Sequence, residues 1–421
     1  MKKVSIISFP AVLTFIIIFC FSSCLKDKCT KTLSYRIFEP VYKTATDVRA
    51  NIKSNAPREI EQPGKLFIRG NYIFLNEINK GIHVIDNSNP LSPQRIAFID
   101  IPGNADLAVK GDMLYADFYT DMVTLDISNP LNVVVKKFND GVFPDRIYSN
   151  GFYPAPNMII TEWKTHDTTV EQSCTENVFT GRPGVLYMNA GDISAAKSSN
   201  SPVAIGGSMA RFAIINNYLY TVGYSDLGVF NITNNNDPAF ITKIQVEWHI
   251  ETIYPFKDKL FVGSNNGMYI FDVQSSPGNP MKLGQFTHAR ACDPVIAEDD
   301  YAFITLSDGN ACLESENQLE IVDIKSLANP FLVKRYQMTH PLGLSKDANL
   351  LFVCDGKDGL KVFDATNVSD IKLKKQIAIN GPYDVIASNK TAIIVARDGL
   401  YQYDYTNPDD IKLLSKIGLK L

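Results

Sequence analysis

Histidine is scarce, with five in 421 residues. A metal centre rich in imidazole would have to gather its ligands from several distant stretches of chain. The short catalytic signatures are missing too. There is no His-Glu-x-x-His, no Gly-x-Ser-x-Gly, no phosphate-cradling Gly-x-x-x-x-Gly-Lys and no Cys-x-x-Cys-His. A formal net charge of −4, with no long run of like charge, leaves no electrostatic footprint for nucleic acid. Low-complexity tracts are absent. No long stretch repeats its apolar residues every 3.6 positions, so little helix is expected.

What is present is a repeated phrase. An apolar, strand-like run ends in aspartate, and a polar turn follows. It reads clearly at Gly359-Leu360-Lys361-Val362-Phe363-Asp364 and at Gly81-Ile82-His83-Val84-Ile85-Asp86. It recurs up to Asp126, Asp272, Asp323 and Asp404, with degenerate copies ending at Asn189 and Asn231. A period of roughly 40–45 residues, with several short strands per unit, is the signature of a β-propeller. One unit cannot bury its own faces, but units packed radially can. Ahead of each phrase runs a strand with a central aromatic, such as Tyr72-Ile73-Phe74-Leu75 or Tyr218-Leu219-Tyr220-Thr221. A weaker strand precedes it and another follows the turn. The expected fold is all-β, a single propeller of four-stranded blades. Eight phrases give eight blades. Seven is the alternative, because the phrase at Asn189 is poor and its unit carries an insertion. The repeated aspartates are expected to accept backbone hydrogen bonds in the following turn.

The first stretch reads as an address. Lys2 and Lys3 precede an apolar run from Val4 to Phe21, followed by Ser22, Ser23 and Cys24. A charged start, an apolar centre and a small-residue end describe a secretory signal peptide over 1–23. Phe21-Ser22-Ser23-Cys24 resembles the lipobox of bacterial lipoproteins as seen in Bacteroidota. That resemblance implies cleavage before Cys24, its acylation, and a membrane contact through that lipid. The acid-poor Leu25-Lys26-Asp27-Lys28 leaves open which membrane face the protein occupies. Residues 24–57 read as a polar tether that adds a strand to the propeller rim, and 58–421 as the propeller.

Five cysteines remain after Cys20 and Cys24: Cys29, Cys174, Cys292, Cys312 and Cys354. Cys292 precedes one inner strand, and Cys312 follows the next strand of the same unit. Antiparallel neighbours bring those ends to one edge, so a disulfide is geometrically reasonable; two separate thiols are the alternative. Cys354 lies in a strand and reads as a buried thiol. Cys29 and Cys174 could pair if the tether folds back onto the insertion. Two insertions interrupt the period, at about 161–183 (with Trp163, His166, Asp167, Glu171 and Cys174) and at 308–317, and loops on a rigid scaffold are candidate contact surfaces.

Aligning the units by their phrases brings polar residues to the same point of successive inner strands. They are Asp106, Asp145 and Arg146, Arg211, Glu251, Asp293, His340, and Tyr383 with Asp384, with His249, His288 and Arg290 just upstream of their strands. Such residues should ring the mouth of the central channel. Carboxylates, arginines and imidazoles there suit a charged or sugar-like ligand, or acid–base chemistry. Channel mouths are also polar simply because they are wet. Asp308-Gly309-Asn310 and Asp355-Gly356-Lys357-Asp358-Gly359 lack the ligand spacing of calcium loops. No cofactor and no metal are expected.

The later units resemble the LVIVD-repeat propeller proteins of Bacteroidota. Leu319-Glu320-Ile321-Val322-Asp323-Ile324 is close to the repeat's name. Ala291-Cys292-Asp293-Pro294-Val295 and Leu351-Phe352-Val353-Cys354-Asp355-Gly356 add to the likeness. The resemblance implies an outer-membrane lipoprotein of the cell envelope, suggests the Cys292–Cys312 pairing, and brings no reaction. The expected function is a non-enzymatic, lipid-anchored module that binds a protein or glycan. The alternative is an enzyme at the channel mouth acting on a carbohydrate or another small polar substrate.

Overall fold

The computed structural model describes residues 30–144, 158–173, 186–189, 208–288, 294–308 and 317–420. The chain divides into two compact units: Pro40–Glu162 with Ala195–Leu421, and Met1–Glu39 with Trp163–Ser194.

The larger unit is a propeller of seven four-stranded blades. Blade 1 runs from the channel outward as Pro63–Arg69, Tyr72–Glu77, Gly81–Asp86 and Gln94–Asp100. The inner strands of blades 2 to 7 are Leu107–Lys110, Phe212–Ile215, Ile250–Phe256, Val295–Glu298, Leu344–Asp347 and Pro382–Ser388. Within every blade, consecutive strands pair side by side.

Alternation explains the radial packing. Successive strand residues point to opposite faces, and here both faces are apolar. In blade 1, Phe74 and Val84 join Leu114, Ala116 and Val123 of blade 2 in one buried cluster. Their neighbours Ile73, Leu75 and Ile85 face the other way, onto Ile386, Ile393 and Val395 of blade 7. The same sharing holds at each remaining interface. Each buried large side chain contributes about 1.5–3 kcal/mol, so most of the stability lies between blades.

The phrase's aspartate does the same work in every blade. A side-chain oxygen of Asp86, Asp126, Asn231, Asp272, Asp323, Asp364 and Asp404 accepts the backbone N–H two residues on, at 2.7–3.3 Å. These Asx turns fix the hairpin into the outer strand. Each hairpin then carries one bulge, for example between Val84 and Ile85 and between Val362 and Phe363, which adds local twist.

The ring closes without exchange of strands between the chain ends. Gln402 of blade 7 and Asn87 of blade 1 exchange amide hydrogen bonds at 2.7 and 2.9 Å. The Tyr383 hydroxyl donates to the Pro63 carbonyl, and the Lys420 N–H to the Ile60 carbonyl at 2.9 Å. Residues ahead of blade 1 pack on the rim. The helix Ala45–Arg49 helps bury Val48 and Ile52 in the blade 1–2 core. Arg49 pairs with Asp121 at 2.6 Å. Ser54–Asn55 adds a fifth strand to blade 1 beside Phe98 and Ile99.

Seven blades, rather than eight, is the outcome. Leu186–Asn189, read as a phrase, forms no blade: it pairs with Phe38 to Tyr35. It lies in a three-stranded sheet with Thr30–Thr44 and Met158–Ser173. In the smaller unit Arg36 meets Asp167 through two hydrogen bonds of 2.7 and 3.0 Å, and Phe38 meets Trp163 edge to face.

Gly359 opens the phrase in blade 6 at φ +79°, and an added Cβ would collide with the Ile377 carbonyl of the outer strand. Gly359→Ala should cost about 2–4 kcal/mol in urea unfolding. Gly111→Ala, at φ +58° with open space around it, should cost about 1–2 kcal/mol. Equal losses would contradict this reading.

Candidate functional site

Antiparallel order places four things at one face of the propeller. They are the starts of the inner strands, the ends of the second strands, the starts of the third strands and the crossovers between blades. Bulges re-aim inner-strand residues there, between Pro63 and Leu66, Ile250 and Thr252, and Pro382 and Asp384.

Three ionisable side chains with almost no exposure meet at the channel: Lys65, Asp106 and Asp384. Lys65 Nζ lies 3.2 Å from Asp106 Oδ2. Asp106 also accepts the N–H of Arg211 at 2.7 Å and that of Leu107 at 2.7 Å. Burial pushes the Asp106 carboxyl up and the Lys65 ammonium down, and their mutual attraction opposes both shifts. Asp117 Oδ1 accepts from Asn104, Ala105 and Asp106 at 2.7–2.9 Å. Asp384 differs. Its Oδ1 accepts the Val385 N–H at 3.0 Å, and its buried Oδ2 has no hydrogen-bond partner among the described residues. Burial, offset in part by that N–H and by Lys65, pushes it up to about 8.

The channel is bridged at this level. The Ser208 hydroxyl accepts the N–H of Leu344 in blade 6 at 2.8 Å, and the Ala210 carbonyl accepts that of Ile253 in blade 4 at 2.5 Å. Ser208, Met209 and Ala210 are buried, so the segment leading into blade 3 spans the opening.

Of the residues aligned from sequence, Asp106, Arg211 and Asp384 come together here. Glu251 holds the matching place in blade 4. Tyr383 lies beneath the mouth, its hydroxyl used in ring closure. His340 does not reach the ring. Gly343 holds that place in blade 6, where a Cβ would strike Asp384. His340 Nδ1 instead meets Asp308 at 2.8 Å. His288 lies near Phe286 with the two rings tilted, and its backbone N–H reaches the Asn266 carbonyl at 3.3 Å. His249 is exposed beside Tyr224, at 2.7 Å from its hydroxyl. Asp145, Arg146, Arg290 and Asp293 lie outside the described residues, as do Cys24, Cys29, Cys174, Cys292 and Cys312. Cys354 is a free, buried cysteine, its thiol pushed well above the usual range by burial.

Sequence alignment passed over Lys65, which stands at the same offset from Asp86 as Glu251 from Asp272. Among the described residues no three His, Cys, Asp or Glu side chains gather as a metal site. Asp355 and Asp358 are bound by Lys361, the latter at 2.9 Å.

The fold and its channel define a seven-bladed β-propeller. Within it, residues 64–97, 102–138 and 290–338 match the LVIVD repeat. No curated protein matches the chain. Among solved structures, the computationally designed Ika8 protein is 10% identical, with TM-score 0.51 over 87% of this chain and 91% of that one. A protein from Lactobacillus plantarum is 13% identical, with TM-score 0.51 over 92% and 97%. A Bacteroides fragilis protein provisionally described as a 6-phosphogluconolactonase is 8% identical, with TM-score 0.50 over 90% and 97%. At these identities the likeness is one of fold alone.

Asp384 sets a pH dependence. Its folded value is raised, so its contribution to stability is complete below about pH 4, where the unfolded chain also holds the proton. That contribution falls as pH rises and is lost by the time pH passes about 8. Asp384→Asn should therefore match wild type near pH 4 and exceed it by a few kcal/mol near pH 9 in urea unfolding. A difference independent of pH would contradict the assignment.

Proposed function

We propose that the protein is a lipid-anchored, non-enzymatic binding module of the cell envelope, taking a protein or glycan partner on the face that carries the crossovers. One observation carries the non-enzymatic part. The channel mouth is bridged by Ser208–Met209–Ala210, and Lys65 and Asp106 beneath it neutralise each other without solvent exposure. Among the described residues, the acid and base groups that converge at the channel lie beneath that bridge and not in an open cleft. The exposed loops around the mouth are the surface left for contact. Cys24 would hold the lipid and the membrane side of the protein.

The enzymatic alternative has one observation in its favour. Asp384 keeps a buried oxygen with no hydrogen-bond partner among the described residues and a raised proton affinity, which is a common mark of acid–base groups.

A thermal-shift panel of polysaccharides and envelope proteins separates the two readings, because a ligand of the native state raises the midpoint. The shift is expected to survive Asp384→Asn, with no product formed, and labelled palmitate should enter wild type but not Cys24→Ala. A shift abolished by Asp384→Asn, or substrate consumed, would favour the enzyme; palmitate in Cys24→Ala would remove the anchor.

A further inference from the structure

Two aromatic side chains stand open on the crossover face. Trp248 is 64% exposed and Tyr224 40% exposed. Tyr224 lies in the turn between the second and third strands of blade 3, and Trp248 in the crossover to blade 4. Their rings meet edge to face at 6.0 Å, and Tyr224 packs on the His249 ring at 4.6 Å.

The platform is built, not frayed. Ile250 N–H donates to the Tyr224 carbonyl, and Val246 N–H to the Ser225 carbonyl, each at 3.0 Å. Asn265 N–H donates to the His249 carbonyl at 3.1 Å, which ties in the matching turn of blade 4. His249 is held at φ +55°, a conformation that costs on the order of 1 kcal/mol and persists only where its surroundings enforce it. Glu247 precedes Trp248 in the same crossover, its Oε1 accepting the Trp248 backbone N–H at 3.0 Å and its Oε2 the Tyr269 hydroxyl at 3.4 Å.

We propose that Trp248, Tyr224, His249 and Glu247 form a carbohydrate-binding platform that stacks one face of a pyranose ring. The proposal rests on the binding-module reading and names its ligand class. The open indole supplies a flat apolar surface. Carboxylate and imidazole at its rim supply acceptors and a donor for neighbouring hydroxyls. A ligand that is apolar on one face and hydroxylated at its edge fits both.

Isolation of the pair favours a sugar over a protein. Protein interfaces bury roughly 800 Å² per partner around an apolar centre. Among the described residues, every other exposed large apolar side chain, such as Leu91, Phe240, Phe331 or Leu413, sits in or just after the turn into an outer strand. Those turns lie at the opposite face, so among the described residues Trp248 and Tyr224 have no surround of exposed large apolar side chains to form such a centre.

The test is the full chain on an array printed with plant, microbial and animal oligosaccharides. Wild type should be retained on at least one sugar. Trp248→Ala should cut retention more than about tenfold, or roughly 1.4 kcal/mol, with an unchanged thermal midpoint. Trp248→Phe should restore part of the retention, and Trp163→Ala should leave it intact. A sugar retained equally by Trp248→Ala overturns this site and leaves the binding-module reading standing. No retained sugar, together with a thermal shift by an envelope protein, overturns the ligand class alone. Silence on the array and in the thermal-shift panel removes both.

Discussion

Seven small sheets, each apolar on both faces, have no stable arrangement except a closed ring. A blade left at an open end would expose a face such as that of Ile73, Leu75 and Ile85, and each such side chain contributes about 1.5–3 kcal/mol when buried. Closure is therefore the constraint on which the rest depends. Many rings of this kind could be closed by pairing the two chain ends in one blade. Here the last blade and the first each keep four strands of their own. The seam is made by the shared apolar cluster, the Asn87–Gln402 amide pair and the tyrosine reaching from Tyr383 to Pro63.

Closure has a consequence at the axis. Inner strands converge, and their polar starts lose water as they approach. An ionisable group there must be paired, or shift its proton affinity until it is neutral. Lys65 and Asp106 take the first course and Asp384 the second. Among the described residues, Asp106, Asp384 and Tyr383, which look chemical in the sequence, are thus engaged at the axis and the seam of the ring. The segment at Ser208 bridges the opening above them, and the proposed recognition surface lies outward, at the turns and crossovers around Trp248.

The fold was legible because its signals are local. Asp86, Asp126 and their counterparts announce a turn by accepting the N–H two residues on, and such a turn needs no distant partner to be read. The blade count was less legible at one point. Leu186–Asn189 has the pattern of a strand before a turn, but a blade needs three further strands, and what that strand pairs with is a tertiary fact. At the channel, the shared offset from each aspartate located Asp106, Arg211 and Asp384. It overlooked Lys65 of blade 1, and it placed His340 where Gly343 stands. The pairing of Tyr224 with Trp248 joins residues from two loops, and nothing in the spacing of either loop reports the other.

The central claim is that the buried charges of the channel serve the ring and not a ligand. A double-mutant cycle on Lys65→Met and Asp106→Asn tests it most directly, since asparagine keeps an acceptor for the Arg211 N–H. Each single change should destabilise by about 3–5 kcal/mol, because it strands the other charge. The double change should recover a coupling of roughly 2–3 kcal/mol and bind ligand as wild type does. Additive losses, or a double variant that is stable but no longer binds, would contradict the account.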